Sequence, residues 1–244
     1  DRKETVDRSV IKGMLDRDEN DNLVVSKDAV AAYVADLAGK YDTAGTERAF
    51  STYDNRDITV SGGNYGWVIN QQKEADALYK DITEKKTEVR EPIYEQEAAS
   101  RKINDIGYSY IEIDLSAQRM VLYQSGSPVV DTGLVADSST LTGVYALGEK
   151  SSAVPGGGDG ETVDFWMPFT DKTGIYGKAG LDVNGYDFSD DADIAAFGSD
   201  DENSGTSVFS EPKSSTEGCI AVPEEQAQLI YQTVEAGIPV VIYK

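Results

Sequence analysis

The spacing of apolar residues changes once along this chain, and that change restricts the folds open to it. Up to about residue 105 the recurrence is partly helical. Ser26 can cap a helix over 27–41, in which Val30, Tyr33, Val34, Leu37 and Tyr41 share a face. Ala75, Leu78, Tyr79 and Ile82 repeat that spacing within 71–85. Short β-rich runs at 49–53, 58–60 and 67–69 lie between the helices, with Gly62-Gly63 as a turn. After Asn104-Asp105-Ile106-Gly107 the period becomes two. Tyr108, Tyr110, Ile111, Ile113 and Leu115 predict one strand, 119–123 a second and 128–130 a third, with Gln124-Ser125-Gly126 as a hairpin turn. Further strands are predicted at 131–136, 143–147, 164–169 and 174–176. Pro223 suits the first position of a helix running to 236, Gly237 ends it, and 239–243 closes the chain as a strand. The expected architecture is an α+β domain over 1–105, followed by a mainly β, sandwich- or barrel-like domain with one late helix over 106–244.

Charge divides the chain at the same place. Of the net charge of -22, residues 1–105 carry -6 (16 basic, 22 acidic) and residues 106–244 carry -16 (6 basic, 22 acidic). Such a field opposes phosphate contacts, so nucleic acid and anionic membrane surfaces are not expected partners. No apolar run is long enough to span a bilayer. The polar start Asp1-Arg2-Lys3-Glu4 carries no signal peptide, so two origins are open: a cytosolic protein, or a chain that begins after an export signal or membrane anchor. The stretch from Gly180 to Ser215, rich in Asp, Ser and Gly, is too long for an ordinary connection and reads as a lid, a partner surface or a mobile flap.

The chain has one cysteine and no histidine. One cysteine excludes an internal disulfide framework. Cys219 follows a glycine in Ser214-Ser215-Thr216-Glu217-Gly218-Cys219-Ile220-Ala221, a setting that suits a nucleophile, yet the imidazole that ordinarily takes its proton is missing.

The order of motifs resembles the L,D-transpeptidases, the YkuD-type cysteine enzymes that cross-link peptidoglycan. Residues 106–118 are similar to that family's opening hairpin. Thr140-Leu141-Thr142-Gly143-Val144-Tyr145 resembles its Thr-Pro-x-Gly-x-Phe segment, with leucine in place of proline. Phe165-Trp166-Met167-Pro168 followed by Gly174-Ile175-Tyr176-Gly177 resembles the stretch that carries the upstream catalytic histidine. Thr216-Glu217-Gly218-Cys219-Ile220-Ala221 resembles the signature Ser-His-Gly-Cys-hydrophobic-Asn/Arg. The first half, with Tyr65-Gly66-Trp67, looks like a peptidoglycan-binding accessory domain. Against the family pattern, Tyr176 and Glu217 stand where the histidines would be, and Ala221 replaces Asn or Arg.

The resemblance implies an extracytoplasmic, cell-wall or cell-surface protein, anchored to membrane only through a segment outside this sequence. Peptidoglycan stem peptides are the implied partner, and a carbapenem adduct at Cys219 is the implied covalent state. It implies catalytic positions at Cys219, Tyr176, Glu217 and Gly218, and substrate contacts at Thr216, Trp166, Met167 and Gly177. No cofactor and no metal are implied. The chemistry leaves two readings. In the first, the protein binds stem peptides but is catalytically impaired. A tyrosine with a reference pKa of about 10 is a poor base at pH 7, an ionised Glu217 would disfavour a thiolate, and an unperturbed thiol is only about 3% ionised. In the second, Cys219 acts as the nucleophile, Tyr176 and Glu217 move protons, and the amides around Gly218 and Cys219 hold the oxyanion. Each residue also has a plain structural role open to it: Cys219 as a small buried hydrophobe, Tyr176 as an aromatic filling the histidine's place, Glu217 as a turn residue. A third reading uses Asp182, Asn184, Asp187, Asp190, Asp191 and Asp193 as hard oxygen ligands for calcium, without the spacing of an EF-hand.

Overall fold

The computed structural model describes residues 3–102, 104–136, 138–155, 162–181, 183 and 218–244. They fold as two compact units, one of residues 1–44 with 66–97 and the other of 45–65 with 98–244. This differs from a single cut near residue 105, because 45–65 folds with the later half of the chain.

The first unit is built on two helices. α1 (Arg8–Lys12) precedes the hairpin β1 (Leu15–Arg17) and β2 (Leu23–Val25). α2 (Lys27–Tyr41) begins where Ser26 Oγ accepts from the Ala29 amide, and it buries Val30, Val34 and Ala38. In the other unit lie β3 (Arg48–Ser51) and β4 (Asp57–Val60). The chain then returns through β5 (Val68–Ile69), α3 (Gln71–Thr83) and β6 (Tyr94–Gln96). Met14, Val30, Val34, Ala38, Ile69, Ala75 and Leu78 form this unit's core. Arg90 bonds the buried Glu74 at 2.8 Å and Asp81 at 3.1 Å, tying the segment after α3 back onto that helix.

The second unit is a two-sheet β structure with one helix, as the period-two pattern predicts. Its strands are β7 (Tyr110–Asp114), β8 (Arg119–Gln124), β9 (Ser127–Gly133), β10 (Val135–Ala136), β11 (Gly143–Ala146), β12 (Ser151–Pro155), β13 (Thr162–Pro168), β14 (Gly174–Lys178), β15 (Ile220–Pro223) and β16 (Pro239–Tyr243), with α4 (Glu224–Thr233) before the last. One sheet has the order β11-β16-β7-β8-β9 and the other β10-β15-β14-β13-β12. Among the described strands, only the β16–β7 and β14–β15 pairs are parallel. β9 passes directly into β10, so one run of chain serves both sheets. Ile111, Ile113, Met120, Leu122, Ile175, Ile220, Val222, Ile230, Val240 and Ile242 fill the core together with Ala227 of α4.

Two expectations for the late helix change. Pro223 is the residue before the first turn, with extended backbone, and the helix ends at Thr233 rather than 236. Val234 leaves the helix because its side chain is needed in the core, where it is 1% exposed. Gly237 (φ +88) turns the chain into β16 instead. β12 and β15 are the strands of this unit that the sequence pattern did not single out.

Segment 45–65 completes the second unit in two ways. Around Gly63 it runs beside β11: Val144 N–H donates to Gly62 O, and Tyr65 N–H to Val144 O. The β3–β4 hairpin covers the face of β7 and β16 that points away from the core, with Phe50 5.6 Å from the Tyr110 ring and 6.2 Å from that of Tyr243. Arg48, 5% exposed, anchors the segment through the carbonyls of Thr46, Tyr65 and Asn104 and through Asp105.

Candidate active site

The surroundings of Cys219 are set by a hairpin turn and a glycine. Between β13 and β14 the chain turns at 169–173. Thr170 Oγ1 accepts from the Lys172 and Thr173 amides and lies 2.6 Å from Thr173 Oγ1. This leaves the Lys172 carbonyl facing Cys219, whose Sγ donates to it at 3.8 Å. Gly218 enters the site at φ +76, a left-handed conformation that L side chains adopt rarely. A Cβ there would also lie 3.2 Å from Thr173 Cγ2 and 3.5 Å from the Ser139 carbonyl oxygen. The Gly-Cys pair is therefore clamped between the β13–β14 turn and the 138–142 loop. Cys219 itself is only 5% exposed.

The parallel pairing of β14 with β15 brings together residues far apart in the chain. Ile175 faces Ile220, and Tyr176 faces Ala221. Ile175, Ile220 and Val222 point into the core, so strand alternation puts Tyr176, Ala221 and Cys219 on the opposite face. Trp166 reaches the same face. Its Cη2 would lie 2.8 Å from a Cβ on Gly174, the residue that comes level with Cys219 if the register is extended by one. A bulge in β13 between Asp164 and Met167 sets two residues, Phe165 and Trp166, against Tyr176 alone, and Phe165 takes a positive φ of 53° to make it.

Of the site residues expected from sequence, Cys219, Gly218, Tyr176 and Trp166 come together. Met167 and Gly177 lie on the other side. Met167 is 0% exposed within the core, and a Cβ on Gly177 would meet Ala227 of α4 at 3.0 Å. Thr216 and Glu217 fall outside the described residues, as do Asp182, Asn184, Asp187, Asp190, Asp191 and Asp193. Lys172 and Ser139, which touch the Gly-Cys pair, were not singled out in the sequence. Thr170-Asp171-Lys172-Thr173 carries a turn signal, but a turn signal does not say what the turn packs against. Thr140, next to Ser139, is 3% exposed, and its hydroxyl has no hydrogen-bond partner among the described residues. Beneath the site, the Tyr145 ring packs 5.4 Å from Phe169, and burial pushes its phenol up from the ordinary value. A cavity of about 610 Å³ lies at the far end of β14 and β15, bordered by Lys178, Pro223, Glu224, Arg119 and Asp131, and Cys219 does not line it.

The description "L,D-transpeptidase catalytic domain" belongs to the family model that matches residues 108–242. The chain is a member of the L,D-transpeptidase family. Residues 6–90 of this L,D-transpeptidase relative match a second family, described as "Putative peptidoglycan binding domain". Among solved structures, it is similar to a cysteine-to-serine mutant of the Enterococcus faecium L,D-transpeptidase, with 24% identity, a TM-score of 0.63, and coverage of 95% of this chain and 88% of that one. It is also similar to the Ldtfm–avibactam carbamoyl enzyme, with 25% identity, a TM-score of 0.63, and coverage of 97% and 87%. No curated protein matches at a significant level. The order of an α/β unit before a two-sheet unit with a late helix is thus that of the L,D-transpeptidase fold.

Proposed function

We propose that this chain is an extracytoplasmic, cell-wall member of the L,D-transpeptidase family that binds peptidoglycan stem peptides but does not cross-link them at a useful rate. One observation carries the reading. The only thiol in a chain without histidine is 5% exposed, and it donates to the Lys172 carbonyl. A carbonyl oxygen accepts from a thiol but offers nothing to a thiolate, so the contact favours the unreactive form. Acyl transfer by cysteine also needs a group to protonate the departing amine, and an imidazole supplies both services because it titrates near neutrality. Stem peptides would lie along the face that carries Cys219, Tyr176 and Trp166, while the first unit holds peptidoglycan.

The rewired enzyme is the second reading, and Tyr176 supports it by sharing the face of Cys219. A mass measurement separates the two. The full chain is incubated with a carbapenem from pH 7 to 9 and its intact mass is followed. The binding protein stays unmodified while still retaining peptidoglycan in a pull-down. An adduct that forms in wild type and is lost in Cys219→Ala establishes the enzyme instead.

A further inference from the structure

Glu112 is a carboxyl group where a β-sheet ordinarily has none. It sits on β7 at 1% exposure. Its Oε1 accepts from the Tyr53 amide at 2.8 Å and from the Tyr243 hydroxyl at 2.7 Å. Its Oε2 is buried and has no hydrogen-bond partner among the described residues. What buries it is the β3–β4 hairpin: Phe50 lies against Tyr110 and Tyr243, and Arg56 reaches over to Asp114 at 2.5 Å.

Among the described residues, the charges around Glu112 give it no cation of its own. It is faced by Tyr110 and Asp114 on β7, Tyr123 on β8, Tyr243 on β16, and Tyr53, Asp54 and Arg56 on the hairpin. Arg56 is engaged by Asp54 and Asp114. Arg119 is bound to Asp131 and lies 4.5 Å over the Tyr53 ring. Burial pushes the Glu112 carboxyl up from its ordinary range. The bonds from Tyr243 and Tyr53 oppose that shift, and Asp114 and Asp54 add to it. Ionising Glu112 therefore places a charge in a buried site with one oxygen unsolvated, and lifting the hairpin is the direct way to let water reach it.

We propose that Glu112 is the release point of a latch, holding the β3–β4 hairpin on the sheet while it carries a proton and loosening it on ionisation. The sign follows from linkage. With the hairpin lifted, the carboxyl titrates near its ordinary value of about 4.3. With the hairpin closed it titrates higher, so the closed form loses stability as pH rises from the lower value to the higher, and then levels off. The chain on both sides of 45–65 belongs to the first unit, so release turns a folded hairpin into linker.

Amide hydrogen exchange of the full chain, read as protection factors after correction for intrinsic rates, tests the latch. Protection of the Thr52 and Tyr53 amides is expected to fall by up to tenfold per pH unit above the ordinary carboxyl range and then to level. Val241 on β16 should keep its protection throughout. In Glu112→Gln the fall disappears, because the amide keeps an acceptor oxygen and never ionises. In Tyr243→Phe the ionised form loses a donor, so the fall extends to higher pH. Identical profiles for wild type and Glu112→Gln, or parallel loss at Val241, would overturn the latch. Should Glu112→Gln fail to fold, an unchanged profile in Tyr243→Phe overturns it equally.

Discussion

Giving the site back its imidazoles should make Cys219 react. The informative variant is Tyr176→His, alone and combined with Glu217→His. Position 176 is level with residue 221 across the parallel pair, two residues past Cys219 on the same face. With strands about 4.8 Å apart and a rise of about 3.3 Å per residue, the two Cα atoms lie roughly 8 Å apart, within the combined reach of a histidine and a cysteine. At its reference value a thiol is about 3% ionised at pH 7, so pairing with an imidazolium can raise the thiolate fraction by at most about 30-fold. A positioned general acid contributes about 10²–10⁴-fold more. The thiol's bond to Lys172 must be given up on ionisation, which at about 0.5–1.5 kcal/mol removes a factor of about 2–12. The double variant should therefore gain about 10²–10⁵-fold in its acylation rate by a carbapenem at pH 7, measured as adduct mass against time, and Tyr176→His alone should gain less. If both variants fold with wild-type melting behaviour and neither gains, the missing imidazoles are not what limits Cys219.

Two further changes test the framework of the site. Gly218→Ala forces a Cβ into the left-handed region and within 3.2 Å of Thr173. It should cost about 1–2 kcal/mol in urea unfolding, and an unshifted midpoint would show that the clamp relaxes freely. Arg48→Ala removes a guanidinium that holds three carbonyls and Asp105 at 5% exposure. A loss of about 3–5 kcal/mol is expected, and a loss below about 1 kcal/mol would mean that segment 45–65 is not anchored there.

The elements that were legible in the sequence are those whose signals are local. α2 begins and ends where the Ser26 cap and the apolar face say it does. β7, β8 and β16 follow from short runs of β-formers bounded by turn signals. What the chain hides is partnership. β3 and β4 read as part of the first half because they precede α3, yet Phe50 packs on Tyr110 and Tyr243, far downstream in the chain. Glu112 and Asp114 alternate with Ile111 and Ile113, which ordinarily marks a solvated face. Both are 1% exposed here, because a non-local hairpin covers that face. At the site, Gly218 and Cys219 are visible as a motif, and Tyr176 is visible only through family likeness. The Lys172 carbonyl could not be read at all, since a backbone acceptor carries no residue-type signal. Met167 and Gly177 were expected from family likeness, yet both lie on the core side of their strands, because a motif match does not say which face a residue takes.

Side-by-side strands running the same way have an effect on what lies between them. Lys178 at the end of β14 and Cys219 before β15 are joined by residues 179–218, while their spacing is fixed by the ladder of Ile175, Tyr176, Gly177 and Lys178 with 220–223. The entropy of closing such a connection grows only with the logarithm of its length, so doubling it costs about 0.6 kcal/mol. Sequence can therefore accumulate or vanish between Lys178 and Cys219 while residues 176 and 219 keep their mutual geometry.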